Sequence, residues 1–326
     1  MSSEYKKNVL EFCGLYPEKT NTEIANKIAR IKEKPEDIEK IRTLVRYYRG
    51  VNGSKCRNKV AIGKAIREKY YKRFSLPKPI EYTDYSPLIL KSKKTLVLAD
   101  IHIPDHATKA ITLAIKYGHD VDTVILLGDV IDGYQISKFS HDPGRPSLNE
   151  EIKQYYKLIE YINQELPNAK IVYKAGNHDG TRLQTYLYRS APEISNFESL
   201  KLENLLECKK YDVTYVPDMR MVQIGKLLFL HGHELGGNPS CNIARSLYLK
   251  VNKNIMFGHF HRIEEYTDVN SITRETKGSY AVGCLSNTQP DYRPYSKFIQ
   301  GFAVVTFKRN GEFEVDNKII LNNKIV

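Results

Sequence analysis

The chain has 326 residues, 41% of them hydrophobic, with five cysteines and a net charge of +12. That composition excludes a disordered chain and supplies one large core or two smaller ones. The cysteines are dispersed and form no C-x-x-C pair, which argues against a disulfide framework or a cysteine zinc site and for a reducing compartment. No apolar run approaches the roughly 20 residues that span a bilayer. The opening "MSSEYKKNVL" has no apolar signal core, so a cytoplasmic location without membrane contact is expected.

The charge is uneven. Residues 1–80 hold 20 Lys+Arg against 9 Asp+Glu, and the remaining 246 residues are close to neutral. This predicts a basic module joined to a neutral body. The module reads as helical. Val9, Leu10, Phe12 and Cys13 mark a first helix that Pro17 stops. Thr20 and Glu23 have capping-box spacing, and Ile24, Ala25, Ile28 and Ala29 give the second helix an apolar face. A third helix is expected from about Pro35, with Ile38, Ile41, Val45 and Tyr48 as its buried stripe. Arg42, Arg46 and Arg49 flank that stripe, and a basic run follows at 55–73. Three short helices with a basic flank on the third resemble a helix-turn-helix module, which implies DNA as partner through those three arginines. A small helical bundle with a solvated charged face is the alternative. The expected boundaries are 1–76 for the module, 77–92 for a Pro-containing linker and 93–326 for the body.

In the body, apolar strand-like runs alternate with helical stretches, which predicts an α/β domain. The runs are "TLVLAD" (95–100), "TVILLGD" (123–129), "IVYKAGNH" (171–178), "LLFLHGH" (227–233) and "NIMFGHFH" (254–261). Each ends in a group able to bind metal. In layered α/β structures, sites gather beyond the carboxyl ends of strands. Five such ends aimed at one place would collect Asp100, His102, Asp129, Asn177, His231, His259 and His261. Taken singly, each is more simply a turn or a hydrogen-bonded structural residue; the ordered set is what carries weight.

In order the chain reads D-x-H (Asp100, His102), G-D-x-x-D (Gly128, Asp129, Asp132), G-N-H-D (176–179), H-G-H (231–233) and G-H-x-H (258–261). This series resembles the calcineurin-like metallophosphoesterase family. The resemblance implies a four-layer fold: two packed mixed β-sheets flanked by helices, preceded here by the small all-α module. It also implies two divalent metal ions. Asp100, His102 and His261 would hold one, Asn177, His231 and His259 the other, and Asp129 both. Oxygen and imidazole ligands without thiolate suit manganese, with iron or zinc as alternatives. Two such ions about 4 Å apart polarise a phosphoryl group and turn a bridging water into a nucleophile. The family counterpart of His178 protonates the leaving oxygen, with Asp132 orienting its ring and raising its pKa.

The remaining candidates are looser. His233 is expected to line the site and His106 to contact substrate, whereas His119 and His141 read as loop or surface residues. Arg182 either grips a phosphate or forms a surface ion pair. Residues 291–293 either reach the site mouth or form a plain hairpin loop. Gly133 after Asp132, and Asp179 in place of Glu, depart from the protein Ser/Thr phosphatases. The stretches "GNHDGTRLQTYLYRSAPEI" and "GSYAVGCLSNTQPDYRPYSKFIQGFAVVTF" resemble a branch encoded by bacteriophages and prophages, and the second reads as two strands around a loop. Repair nucleases of the family carry a DNA-contacting cap after the last motif, where only 65 residues remain here; the basic module is expected to do that work. A nuclease-like phosphodiesterase acting on DNA is therefore expected. The alternatives are a phosphomonoesterase for a nucleotide or phosphoprotein, and a catalytically dead DNA-binding regulator.

Overall fold

A computed structural model describes residues 4–49, 62, 76–77, 79–80, 83–139, 142–237, 239, 241–290 and 294–326. The chain divides into two units, Met1–Thr83 and Asp84–Val326. Apart from Ile62, the basic run at 55–73 lies outside the described residues, as do His141 and residues 291–293.

The first unit is built on α1 (Lys6–Leu15), α2 (Asn21–Ile31) and α3 (Ile38–Arg49), the last entered through a 3-10 turn at Pro35–Asp37. Thr20 caps α2 reciprocally with Glu23: the Glu23 amide donates to Thr20 Oγ1 at 3.2 Å, and the Thr20 amide to Glu23 Oε2 at 2.7 Å. The apolar faces close over Tyr5, Val9, Phe12, Ile24, Ile28, Ile41 and Val45. Each fully buried side chain of this size contributes about 1.5–3 kcal/mol. The three arginines on α3 behave differently. Arg46 is exposed. Arg42 pairs with Glu39 at 2.7 Å. Arg49 turns back and donates to the carbonyls of Tyr16 and Lys19 and to Asn21 Oδ1, tying α3 to the α1–α2 turn.

Among its described residues the second unit holds thirteen strands: β1 (Leu88–Leu90), β2 (Lys94–Leu98), β3 (Thr123–Leu127), β4 (Lys170–Lys174), β5 (Val213–Val216), β6 (Val222–Ile224), β7 (Leu227–Leu230), β8 (Asn254–Phe257), β9 (Glu264–Val269), β10 (Thr276–Ala281), β11 (Gln300–Phe307), β12 (Phe313–Leu321) and β13 (Lys324–Ile325). They form two mixed sheets, ordered β13-β12-β11-β2-β3-β4-β5 and β1-β6-β7-β8-β10-β9. Strands β2 to β5 run parallel, and β11 joins them antiparallel, with Ala303 opposite Val97.

Alternation along β2 shows why the sheets stack. Val97 and Ala99 face the inter-sheet core with Ile125, Leu127, Phe229 and Met256. Leu96 and Leu98 face the other way, under α4 (Thr108–Tyr117) and α5 (Leu148–Glu165). On the far side, α8 (Ile243–Val251) covers the six-stranded sheet with Ile243, Ala244 and Leu247. Between them in sequence lie α6 (Arg182–Ser190) and the single-turn α7 (Leu202–Leu205). The result is the expected four layers: helix, sheet, sheet, helix.

The five strand-like runs all form strands, but each ends two to four residues earlier than its quoted run. The polar residues at those ends belong to turns.

Candidate active site

The turns have an unusual backbone. Asp100, His102, Asp129, His259 and His261 all lie at φ between 50° and 69°. L-residues enter this left-handed region at a cost of about 1–2 kcal/mol each. Such strain gathers where surrounding structure holds it for a purpose. Here it bends the chain sharply at the strand ends, so that neighbouring side chains converge. The turns lock onto one another: the His102 amide donates to the Asp129 carbonyl at 2.9 Å, and the Ile103 amide to the Val130 carbonyl at 2.9 Å. The His259 amide reaches Asp100 Oδ2 at 2.8 Å, and the His178 amide reaches Asp129 Oδ1 at 2.8 Å. Gly258 is required by this closeness, since a Cβ there would lie 2.4 Å from Asp100 Oδ2.

The side chains meet in overlapping groups. Asp100, His102 and His261 bring one ligand atom each within 4.8 Å of one another, as do Asp129, His231 and His259, and also His102, Asp129 and His178. His261 Nε2 lies 3.2 Å from both His102 Nε2 and Asp100 Oδ1. His231 Nε2 lies 3.0 Å from Asp129 Oδ2. Asn177 Oδ1 is buried without a hydrogen-bond partner.

Charge agrees with geometry. Burial would raise the Asp129 carboxyl, but His231 and His178 hold it well below the usual range. Burial likewise opposes charge on His231, yet Asp129 and Asp100 push that imidazole up to about 10. Asp100 does the same to His261, also to about 10. His259, half-buried and beside His231, falls to about 4 through loss of solvent and the neighbouring charge. The two carboxylates thus demand positive charge in the space that the imidazoles surround. Divalent cations meet that demand, and an oxygen and imidazole donor set fits them. Imidazole tautomers are set from behind. Asp132 Oδ1 accepts from His102 Nδ1 and from His178 Nδ1, both at 2.8 Å, and the Leu127 carbonyl accepts from His231 Nδ1 at 2.9 Å. Each contact occupies Nδ1 and so leaves Nε2 as the ring nitrogen for the site, the usual support for a ligating histidine.

Residues 93–280 match the family model for calcineurin-like phosphoesterases, more than half of the chain. The chain belongs to the calcineurin-like phosphoesterase family. It is accordingly a metal-dependent phosphoesterase whose buried Asp and His clusters fit a dinuclear metal site. Among solved structures, this phosphoesterase is similar to a single mutant of Vps29 from Entamoeba histolytica, with 10% identity, 72% of this chain and 96% of that one covered, and a TM-score of 0.38. A predicted phosphoesterase from Streptococcus pneumoniae TIGR4 gives 13%, 70%, 90% and 0.32. Vps29 from Chaetomium thermophilum gives 14%, 69%, 96% and 0.34. No curated protein matches the chain.

The looser candidates of the phosphoesterase fall in different places. Arg182 sits beside the cluster: Nη1 donates to the Asp132 carbonyl at 2.6 Å, and Nη2 lies 3.1 Å from His178 Nε2. The His233 ring stands 5.4 Å from that of His231, with Nδ1 3.5 Å from Glu234 Oε2 and Nε2 3.9 Å from Asp218 Oδ2. His106 lines a cavity of about 480 Å³ with Ile103, Ile111, Lys157 and Leu158, and no residue of the clusters lines that cavity. His119 is exposed.

Three supporting residues were not foreseen. Glu151, buried on α5, accepts from the amides of Gly133 at 2.6 Å and Tyr134 at 3.2 Å, fixing the turn after Asp132. Burial pushes its carboxyl up to about 7. Lys174 and Glu234 form a buried ion pair at 2.8 Å. Burial opposes ionisation of Glu234, but Lys174 holds it down at about 2. A lysine inside the apolar run "IVYKAGNH" was the one available signal.

Proposed function

We propose that this phosphoesterase hydrolyses phosphodiester bonds in DNA, held on its substrate by the first unit. The reading is carried by the basic surplus of residues 1–80, which contrasts with a nearly neutral catalytic body. Cations in such numbers serve phosphate backbones. The three-helix unit is read as helix-turn-helix-like, and the body as the phage and prophage type.

Asp100, His102 and His261 would hold one divalent ion, Asn177, His231 and His259 the other, and Asp129 both; manganese suits the set, with iron or zinc as alternatives. When bound, the ions polarise the phosphoryl group and activate water. The chain supplies the rest. His178 gives a proton to the leaving oxygen. Asp132 fixes its ring through Nδ1 and leaves Nε2 as the delivering atom. Burial disfavours the charged imidazole, but Asp129 and Asp132 more than compensate and keep it raised. Arg182 now covers that Nε2. An incoming phosphate would draw the guanidinium onto itself and free the nitrogen. His233 and His106 are the further substrate contacts proposed.

The test offers the purified protein, with manganese, bis-p-nitrophenyl phosphate, p-nitrophenyl phosphate, and single- and double-stranded DNA. Faster turnover of the diester, with cleavage of DNA, is expected. Strict monoester preference replaces this reading with a nucleotide or phosphoprotein phosphatase. No turnover with both ions bound would make the chain a DNA-binding regulator on an inactive body.

A further inference from the structure

Lys174 and Glu234 have side chains only 0% and 3% exposed. They come from different sheets. Lys174 is the last residue of β4, and Glu234 lies in the turn that follows β7. The ammonium uses all its donors: on Glu234 Oε1 at 2.8 Å, on the Ala175 carbonyl at 2.7 Å and on the Asp218 carbonyl. Glu234 spends its oxygens on main chain as well. Oε1 accepts from the His231 amide at 2.9 Å, and Oε2 from the Gly232 amide at 2.6 Å. Gly232 has φ of 126°, a conformation essentially reserved for glycine.

A buried ion pair is no more stabilising than a well-packed apolar pair of the same volume. Its presence here needs another reason, and its contacts supply one. The two loops it joins carry Asn177 and His231. Lys174 holds the carbonyl two residues before Asn177, and Glu234 holds the amide of His231 itself. Meanwhile the His231 ring is fixed separately by the Leu127 carbonyl. Among the described residues, neither Lys174 nor Glu234 bonds to the turns of Asp100, His102 or His261.

We propose that the Lys174–Glu234 pair is a positioning device for one half of the metal centre, holding Asn177 and His231 in register across the two sheets and so setting the affinity of the second ion alone. The inference rests on the two-ion assignment proposed above. It gives these two residues a role in metal loading that is separable from their role in folding.

The experiment titrates the metal-free full chain with manganese(II) by calorimetry and follows the electron paramagnetic resonance of the bound ions. The wild type should take two ions with the signature of a coupled pair. Lys174→Met should weaken one ion roughly 10- to 100-fold, the usual cost of losing an outer support of a metal site, and leave an isolated-ion spectrum at intermediate metal. The double variant Lys174→Met/Glu234→Leu removes both charges. It should recover part of the thermal midpoint that Lys174→Met loses, the amides of His231 and Gly232 still lacking their acceptor, without recovering the second ion. His259→Ala and His261→Ala, which should each abolish one site, assign the effect. Adding Lys174→Met to His259→Ala should leave the remaining ion unchanged. Adding it to His261→Ala should weaken the remaining ion by the full factor. Equal weakening on both backgrounds, or second-ion affinity restored together with stability in the double variant, overturns the proposal. If the two histidine variants do not each remove one ion, the two-ion assignment itself is wrong, and the positioning role falls with it.

Discussion

At the scale of single residues, Asp129 and His178 separate binding from chemistry. Asp129 belongs to two of the ligand groups and is buried to within 1%. Asp129→Asn should therefore remove more bound metal than a change at any one terminal ligand. Metal analysis of purified variants decides this, and full occupancy in the Asn variant would refute the bridging role. His178 donates its amide to Asp129 and its Nδ1 to Asp132. His178→Ala should keep both ions yet slow turnover by roughly 10²- to 10⁴-fold, the usual worth of a general acid. The loss should shrink for p-nitrophenyl esters, whose leaving group needs little protonation. An equal loss on alkyl and p-nitrophenyl esters would contradict the acid role.

At the scale of elements, α5 matters to the site through Glu151, whose two oxygens hold the turn at Gly133 and Tyr134. Its pKa rises from the ordinary 4.5 to about 7 because it is buried. The folded state thus binds its proton more tightly than the unfolded chain does. The stability this contributes is complete below about pH 4.5 and is lost as pH rises through about 7. Glu151→Gln should flatten the fall of the urea midpoint between pH 5 and 8; an unchanged slope would show that Glu151 does not titrate in that window. This contact also marks the limit of sequence reading. Strand centres such as "TVILL" were legible because buried runs are apolar, and the metal-binding types at their ends stood out. Strand ends were not, because the left-handed turns at Asp100, Asp129 and His259 leave no compositional trace. The short or polar strands β1, β5, β6, β9, β12 and β13 were missed for want of an apolar run; β9, "EEYTDV", never buries a residue fully. That Asp132 serves two histidines, or that Glu234 meets Lys174, depends on which sheets face each other, and local pattern carries no such information.

At the scale of the whole molecule, the two units invite separation. The second holds all the clustered residues and its own cores. Deleting 1–83 should leave a folded body that turns over a small diester at the wild-type rate. The same deletion should abolish most affinity for duplex DNA at low salt. Replacing Arg42 and Arg46 with Gln should reproduce part of the loss and lower the log–log salt slope by up to about 0.9 per phosphate contact removed. Arg49 is left intact, because its guanidinium holds three backbone and side-chain oxygens of the α1–α2 turn. Anisotropy across a salt series, beside the diester assay, reads both effects. Unchanged DNA affinity in the truncation would assign the basic unit to another kind of partner.

The antiparallel seat of β11 against β2 bears on how the chain is made. Synthesis delivers β2, β3, β4 and β5 in order, and these parallel strands can assemble as they emerge. One edge of β2 must nevertheless wait for residues 303–306, some two hundred positions later. During that interval the nascent sheet offers an unpaired row of amides and carbonyls beside Leu96 and Leu98, a template for any other extended chain. A message truncated after residue 290 would encode every cluster residue through His261 and still release a sticky product. The closing strand is in this sense the chain's own guard, and it arrives only after every cluster residue has been made.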